Sequence, residues 1–305
     1  MRVFVTGVAG QLGHDVVNEL ISRGFEAVGT DLAPAYAGVQ DGTAVTTAPY
    51  VSLDITDDAA VDRVIREAGV DAVIHCAAWT AVDKAEECED LVRRINAGGT
   101  LSIARVCRSL DIPMMYFSTD YVFDGQGTRP WEPEDERHPL GAYGRTKAEG
   151  ELAVINTLEK FFILRIAWVF GVNGKNFIRT MLRLAKTHDT LRVVNDQIGT
   201  PTYTCDLARL VVDMITTDKY GIYHVTNEGS YISWYDFACA IMKEGGAGHV
   251  TVTPCTSEEY GAQAVRPYNS RMNRSRITEM GFTPLPTWED ALKRYVAVLR
   301  ETGEI

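Results

Sequence analysis

The stretch RVFVTGVAGQLGHDVVNELISR, residues 2–23, decides the fold. Residues 2–6 form a short apolar run that reads as a buried strand. Leu12, Val16, Val17, Leu20 and Ile21 then recur at helical spacing. Between strand and helix lie Gly7, Gly10 and Gly13, a G-x-x-G-x-x-G turn. Gly7 permits the tight turn, Gly10 lets backbone approach a pyrophosphate, and Gly13 lets helix and strand pack closely. The helix start, with Gln11 and Leu12, offers free N–H groups and the positive end of a dipole to phosphates. Asp31 falls 18 residues beyond Gly13, at the end of the next predicted strand. An acid there accepts hydrogen bonds from a ribose diol and repels a 2′-phosphate, which favours NADH over NADPH. A glycine-rich turn alone is only a turn. Strand, helix and acid in register make it a dinucleotide site.

Working outward, apolar runs predict further strands over 26–30, 50–53, 72–75, 114–118 and 161–167. Helical spacing covers 57–68, 91–110 and 143–158, and 31–49 reads as a loop. Continuous apolar strands separated by helices mean a parallel sheet covered on both faces. After residue 168 the rhythm loosens. Helices are predicted over 176–187, 204–215 and 233–243, strands over 191–194 and 222–225, and prolines become frequent. The predicted class is α/β: a Rossmann-like, doubly wound parallel sheet with a smaller C-terminal α/β substrate-binding lobe. Residues 1–168 form the dinucleotide-binding domain, parts of 191–226 return to it, and 169–305 are mainly the substrate lobe.

Composition narrows the partners. The 305 residues carry 30 Lys+Arg against 41 Asp+Glu, a net charge of −11. Such a surface repels nucleic-acid backbones and anionic lipid, so neither is an expected partner. Hydrophobic residues at 46% and charged residues at 23% are ordinary globular values and argue against disorder or coiled coil. Six cysteines without a C-x-x-C pair argue against zinc ribbons and redox motifs and fit reduced thiols in a cytoplasmic protein. The N-terminus does not resemble a signal peptide, and no apolar stretch reaches the ~20 residues of a membrane span. No Asp/Glu/His cluster has ligand spacing, so no catalytic metal is expected.

Chemistry is suggested by Ser118-Thr119-Asp120 at a strand end and by Tyr143 and Lys147, four apart on a helix. Positions i and i+4 share a helix face, so a phenol and an ammonium stand side by side near a hydroxyl. The cation is expected to lower the phenol's pKa from about 10 toward working pH. Thr119 can then bond a substrate carbonyl while Tyr143 protonates it and a nicotinamide supplies hydride. Asp54 and Ile55, after the third strand, can cap an adenine. Ala77 and Ala78, with Thr80 just beyond, give small residues and backbone at the carboxyl end of the fourth strand, where such sheets bind ligands.

These features resemble the extended short-chain dehydrogenase/reductases. The segments HCAAWTAVDKAE (75–86), STDYVFDG (118–125), YGRTK (143–147), RIAWVFG (165–171), NFIRTMLRLAK (176–186), NDQIGTPT (195–202) and RPYNSR (266–271) narrow this to similarity with the dTDP-4-dehydrorhamnose reductase family. The resemblance runs from Met1 to about Trp288. It implies NADH- or NADPH-dependent reduction of the C4 ketone of dTDP-4-dehydro-L-rhamnose, with Thr119, Tyr143 and Lys147 as the triad. It also implies nucleotide-sugar supply for cell-surface polysaccharide, a small-molecule nucleotide-sugar partner, and room for a homodimer. Tyr121 and Trp168 match aromatics near the sugar. Asn176, Gln197, Thr202 and Arg266 fall in blocks that face the sugar or its nucleotide. An Arg266 fork also suits a diphosphate on so acidic a chain. Asn96 is expected to position water or backbone, and Asp83 with Lys84 to form a surface ion pair. Two other readings keep the resemblance: a sugar-nucleotide epimerase or dehydratase, and a non-catalytic subunit similar to the beta subunit of methionine adenosyltransferase. A dehydratase is expected to carry acids right after the strand-end hydroxyl. Here Asp120 is followed by Tyr121.

Overall fold

A computed structural model describes residues 1–305. Seven strands form one parallel sheet: β1 (Arg2–Thr6), β2 (Glu26–Asp31), β3 (Tyr50–Ser52), β4 (Ala72–His75), β5 (Met114–Thr119), β6 (Phe161–Ile166) and β7 (Gly221–His224). Their spatial order is β7-β6-β5-β4-β1-β2-β3. The order reverses between β1 and β4, and ligands bind at the carboxyl ends of strands beside such a switch point.

Alternation along β1 assigns the two faces. Val3 and Val5 join Val16, Val17 and Leu20 of the helix Gln11–Ser22 and Leu207, Leu210 and Val211 of the helix Thr204–Ile215. Phe4 joins the opposite layer, with Ile65, Ile103 and Val154 from the helices Asp58–Ala68, Thr100–Leu110 and Ala142–Thr157. At roughly 25 cal/mol per Å² of apolar area removed from water, these layers are what make the sheet stable.

A second core lies beyond the sheet. Ile178, Phe237, Trp288 and Tyr295 pack together from the helices Phe177–Ala185, Trp234–Glu244 and Trp288–Glu301. The strands Thr190–Val194 and Thr251–Cys255 pair in parallel against them. No helix is long and apolar enough to cross a membrane.

Three details differ from the sequence expectation. The helix predicted over 91–110 begins at Glu89 and carries a π-helical turn at Arg94–Gly99. Such a turn re-aims a side chain without ending the helix. The loop expected over 31–49 holds a short 3-10 turn, Ala44–Thr46, whose Val45 is buried in the first core. The strand predicted over 222–225 is one residue earlier and pairs with β6.

Candidate active site

The glycine turn is held by close backbone approach. Gly7 has φ +71°, a left-handed value, and a Cβ on it would stand 2.6 Å from the Ala77 nitrogen. A Cβ on Gly13 would run into the Gly7 carbonyl. Turn, β4 end and helix start are therefore stacked with no room for side chains. The Gly7 N–H donates to the Thr30 carbonyl at 2.8 Å. Asp31 ties the turn to β2: one carboxylate oxygen accepts from the Ala9 N–H at 3.0 Å, the other from the Leu32 N–H at 2.8 Å. The helix Gln11–Ser22 has no side-chain cap and no acid in its first turn, so its leading amides remain open to an anion.

A cavity of about 700 Å³ opens from this turn along the carboxyl ends of the strands. Gly7, Gly10, Gln11, Leu12, Gly13, Asp31, Asp54, Ile55, Ala77, Ala78, Thr80, Tyr143 and Lys147 all line it. Lys147 is the only lysine or arginine among the lining residues. The crowded cradle, open helix start and acidic β2 end fit a dinucleotide.

The β4 end is braced by buried polar groups, of which sequence reading singled out only Asn96. The Thr6 hydroxyl accepts from the Ala77 N–H at 3.0 Å and pairs with His75 Nδ1 at 2.7 Å. His75 Nε2 meets the Thr100 hydroxyl at 3.1 Å, and that hydroxyl donates to the Asn96 carbonyl at 2.7 Å. Burial pushes His75 down to about 3, so it stays neutral and bridges donor and acceptor. Asn96, on the π turn, clamps the backbone of Trp79. It accepts from the N–H at 2.8 Å and donates to the carbonyl at 3.2 Å.

Thr119, Tyr143 and Lys147 meet on the cavity wall. The Thr119 hydroxyl donates to Asp120 Oδ1 at 3.0 Å and accepts from the Tyr121 N–H at 3.2 Å. One expectation is corrected here. Tyr143 titrates above the ordinary phenol value, not below it, because burial penalises the phenolate and the Asp120 charge adds to that. The Lys147 ammonium lies 4.0 Å from the centre of the Tyr116 ring and is itself pushed down to about 7, chiefly by burial, against the pull of Glu151. At neutral pH Tyr143 therefore carries a proton to give.

At the far end, Tyr121 lies edge-on to Tyr143, ring centres 5.4 Å apart. Trp168 has φ +51°, uncommon for a bulky residue, and stacks on Trp234 at 3.8 Å. Both tryptophans, with Phe177 and Phe237, line the cavity. Trp234 and Phe177 were not expected as site residues. They come from distant chain segments and carry no local motif.

The four remaining expected substrate residues are not among the lining residues. Thr202 is fully buried and donates to the Ala167 carbonyl at 2.6 Å. Asn176 caps the helix Phe177–Ala185 and donates to Gly171, Gln11 and Tyr295. Gln197 donates to the Ser257 hydroxyl at 2.9 Å. The side-chain hydrogen bonds each of the three makes run to the protein framework. Arg266 donates to Asp83 Oδ2 at 2.8 Å and to the Ala264 carbonyl at 3.2 Å. Asp83 thus pairs with Arg266, not with the neighbouring Lys84.

Fold, glycine turn and strand-end hydroxyl beside a Tyr-x-x-x-Lys helix together define an extended short-chain dehydrogenase/reductase. Comparison with known proteins narrows the class. The family described as RmlD substrate binding domain matches residues 1–301. The dTDP-4-dehydrorhamnose reductase of Streptomyces griseus is 38% identical over 297 residues, covering 95% of this chain and 91% of that one. A crystal structure of a dTDP-4-dehydrorhamnose reductase from Clostridium acetobutylicum superposes with a TM-score of 0.89 at 41% identity, over 98% of this chain and all of that one. The Bacillus anthracis dTDP-4-dehydrorhamnose reductase, solved in complex with NADP, gives 0.88 at 36% identity, over 97% of this chain and 99% of that one. The chain belongs to the RmlD family, that of the dTDP-4-dehydrorhamnose reductases.

Proposed function

We propose that this protein reduces the C4 ketone of dTDP-4-dehydro-L-rhamnose to dTDP-L-rhamnose with NADH or NADPH. The observation that carries the reading is the placing of Thr119, Tyr143 and Lys147 on one cavity wall continuous with the Gly7–Gly13 turn. When bound, the nicotinamide supplies the hydride. Tyr143 delivers the proton to the ketone oxygen, Thr119 aligns the phenol, and Lys147 gives the wall its one positive charge. The open amides at the start of the helix Gln11–Ser22 hold the pyrophosphate, and Asp31 and Asp54 face the adenosine. Tyr121 and Trp168 flank the sugar.

In this reading residues 1–168 and the returning strand β7 serve the dinucleotide, and most of 169–305 serves the nucleotide sugar. A homodimer and a cytoplasmic setting belong to the same proposal. All six cysteines are free thiols, which suits a reducing compartment.

The alternative chemistries have less support. Both oxygens of Asp120 are engaged, with Thr119 and Ser270, so the acid a dehydratase would use is tied into the wall. A non-catalytic subunit has no need of a complete triad. The test is oxidation of NADH and NADPH, followed at the nicotinamide band, with dTDP-4-dehydrorhamnose added. Turnover with at least one cofactor is expected. Absence of turnover with both overturns the reading.

A further inference from the structure

The segment 171–176, Gly-Val-Asn-Gly-Lys-Asn, leads into the second core and lies against the glycine turn. A Cβ on Gly171 would stand 3.4 Å from the Gln11 Cβ, and one on Gly174 would stand 3.5 Å from the Gln11 Cγ. Asn173 is buried and donates to the Ala9 carbonyl at 3.0 Å and the Gly10 carbonyl at 3.3 Å. Asn176 reaches Gln11 itself. Two backbone partners settle which way the Asn176 amide points: Oδ1 accepts from the Arg179 N–H at 3.1 Å, and Nδ2 donates to the Gly171 carbonyl at 3.0 Å. The Gln11 atom 3.1 Å from that nitrogen must therefore be the acceptor, Oε1. The Gln11 amide is thus turned with Nε2 at its other end. Nε2 bonds no protein atom and stays accessible, on a side chain that lines the cavity.

We propose that Asn176 is a positioning residue for the cofactor: it holds the Gln11 side chain with Nε2 toward the pyrophosphate, where that nitrogen joins the helix-start amides as a neutral donor. The inference rests on the reductase reading. The turn has no cation of its own. Lys147, the one lysine or arginine lining the cavity, sits over the Tyr116 ring. On a chain of net charge −11, a diphosphate at the turn must therefore be held by uncharged N–H groups. A hydrogen bond from N–H to an anionic oxygen is of the strong kind. A glutamine free to rotate would present its oxygen as readily as its nitrogen, and the oxygen repels a phosphate. Asn176 removes that choice before the ligand arrives, which lowers the cost of ordering the side chain on binding. Asn173 seats the backbone on which Gln11 stands. The segment that begins the second lobe thus serves the dinucleotide, and Asn176 bears on the cofactor through Gln11.

The test is a double-mutant cycle on the full chain, read as the Kd of NADH by fluorescence and of ADP-ribose by calorimetry. ADP-ribose keeps the pyrophosphate and lacks the nicotinamide. Gln11→Leu keeps the packing against Gly171 and Gly174 and removes the amide, so both Kd values are expected to rise about tenfold. Asn176→Ser keeps a side-chain cap for the helix Phe177–Ala185 and removes the Nδ2 donor, so both are expected to rise about three- to fivefold. Asn176→Thr does the same with a second capping residue and should match it. The decisive reading is the double variant Gln11→Leu with Asn176→Ser. If Asn176 acts through the Gln11 amide, the double variant binds no more weakly than Gln11→Leu alone. A merely structural role would instead multiply the two losses. Multiplied losses, or an unchanged Kd in Gln11→Leu, overturn the proposal. The titrations need no sugar nucleotide. A parent chain that binds neither ligand overturns the reductase reading and this inference with it. A parent chain that binds both, with Gln11→Leu binding equally well, overturns this inference alone.

Discussion

The two ends of the cavity are built in opposite ways. The dinucleotide end comes largely from one run of chain, residues 6–31, and is held by backbone: the Gly7 amide on Thr30, the Ala9 amide on Asp31, and the Gly13 carbon against the Gly7 carbonyl. The other end, proposed above to take the sugar, is assembled from side chains far apart in sequence. Tyr121 meets Tyr143, Trp168 stacks on Trp234, and Asp120 takes a hydrogen bond from Ser270, 150 residues away. A backbone site tolerates almost any residue except a Cβ in the wrong place. A side-chain site fails one group at a time. Substitutions at the two ends should therefore separate cofactor affinity from turnover.

The largest separation is expected at Tyr143. Tyr143→Phe removes the proton donor and keeps the ring, so turnover should fall by about 10²- to 10⁴-fold while NADH titration by fluorescence is unchanged. Equal loss of both would erase the distinction between the ends. At the backbone end, Gly13→Ala forces a methyl against the Gly7 carbonyl. The turn must open, at a cost on the order of 1–3 kcal/mol. NADH should bind about 10- to 100-fold more weakly, with a lower melting temperature, read by calorimetry and thermal denaturation. A smaller effect is expected at Trp168. Trp168→Ala removes one aromatic wall, and stacking of about 0.5–1.5 kcal/mol corresponds to a two- to tenfold rise in KM for the sugar nucleotide. The KM for NADH should not move, and a change in NADH KM of the same size would mean the two ends are not independent.

The same contrast explains what the sequence could reveal. The dinucleotide end was legible because its determinants are local: a strand, three glycines, a helix and an acid in fixed register. The seven-stranded sheet was legible for a related reason, since runs such as 3–5 and 114–117 are apolar throughout and only a two-sided sheet covers them. That Tyr143 and Lys147 line one cavity was legible because i, i+4 spacing is also local. The sugar end was not. Thr202, Asn176 and Gln197 lie in distinctive blocks, yet whether a polar side chain faces a ligand or a carbonyl depends on packing between segments that are remote in the chain. Here Thr202 faces Ala167, and Asn176 faces Gly171 and Tyr295. The expected lowering of the Tyr143 pKa failed for the same reason. Spacing suggests an ammonium nearby, but burial and the Asp120 charge raise Tyr143, and both depend on packing the spacing does not show.

Arg266 gives the smallest predicted effect and the sharpest use of the comparison. On a chain of net charge −11, a diphosphate at the sugar end needs a local cation, and Lys147 is the only one on the cavity wall. Arg266 stands behind Tyr121, half-buried, with its guanidinium held by Asp83, itself nearly half exposed. A pair so open to solvent contributes about 0–1 kcal/mol to stability, so Asp83→Asn and Arg266→Gln should each lower the melting temperature only slightly and by similar amounts. Their kinetics should differ if Arg266 serves the diphosphate, because Asp83→Asn frees the guanidinium while Arg266→Gln removes it. The expected outcome is a lower KM for the sugar nucleotide in Asp83→Asn, a higher one in Arg266→Gln, and an unchanged KM for NADH in both. Equal KM values in the two variants would mean that Arg266 only fastens residues 264–266 to the turn that carries Asp83. The cation facing the substrate would then be Lys147 alone.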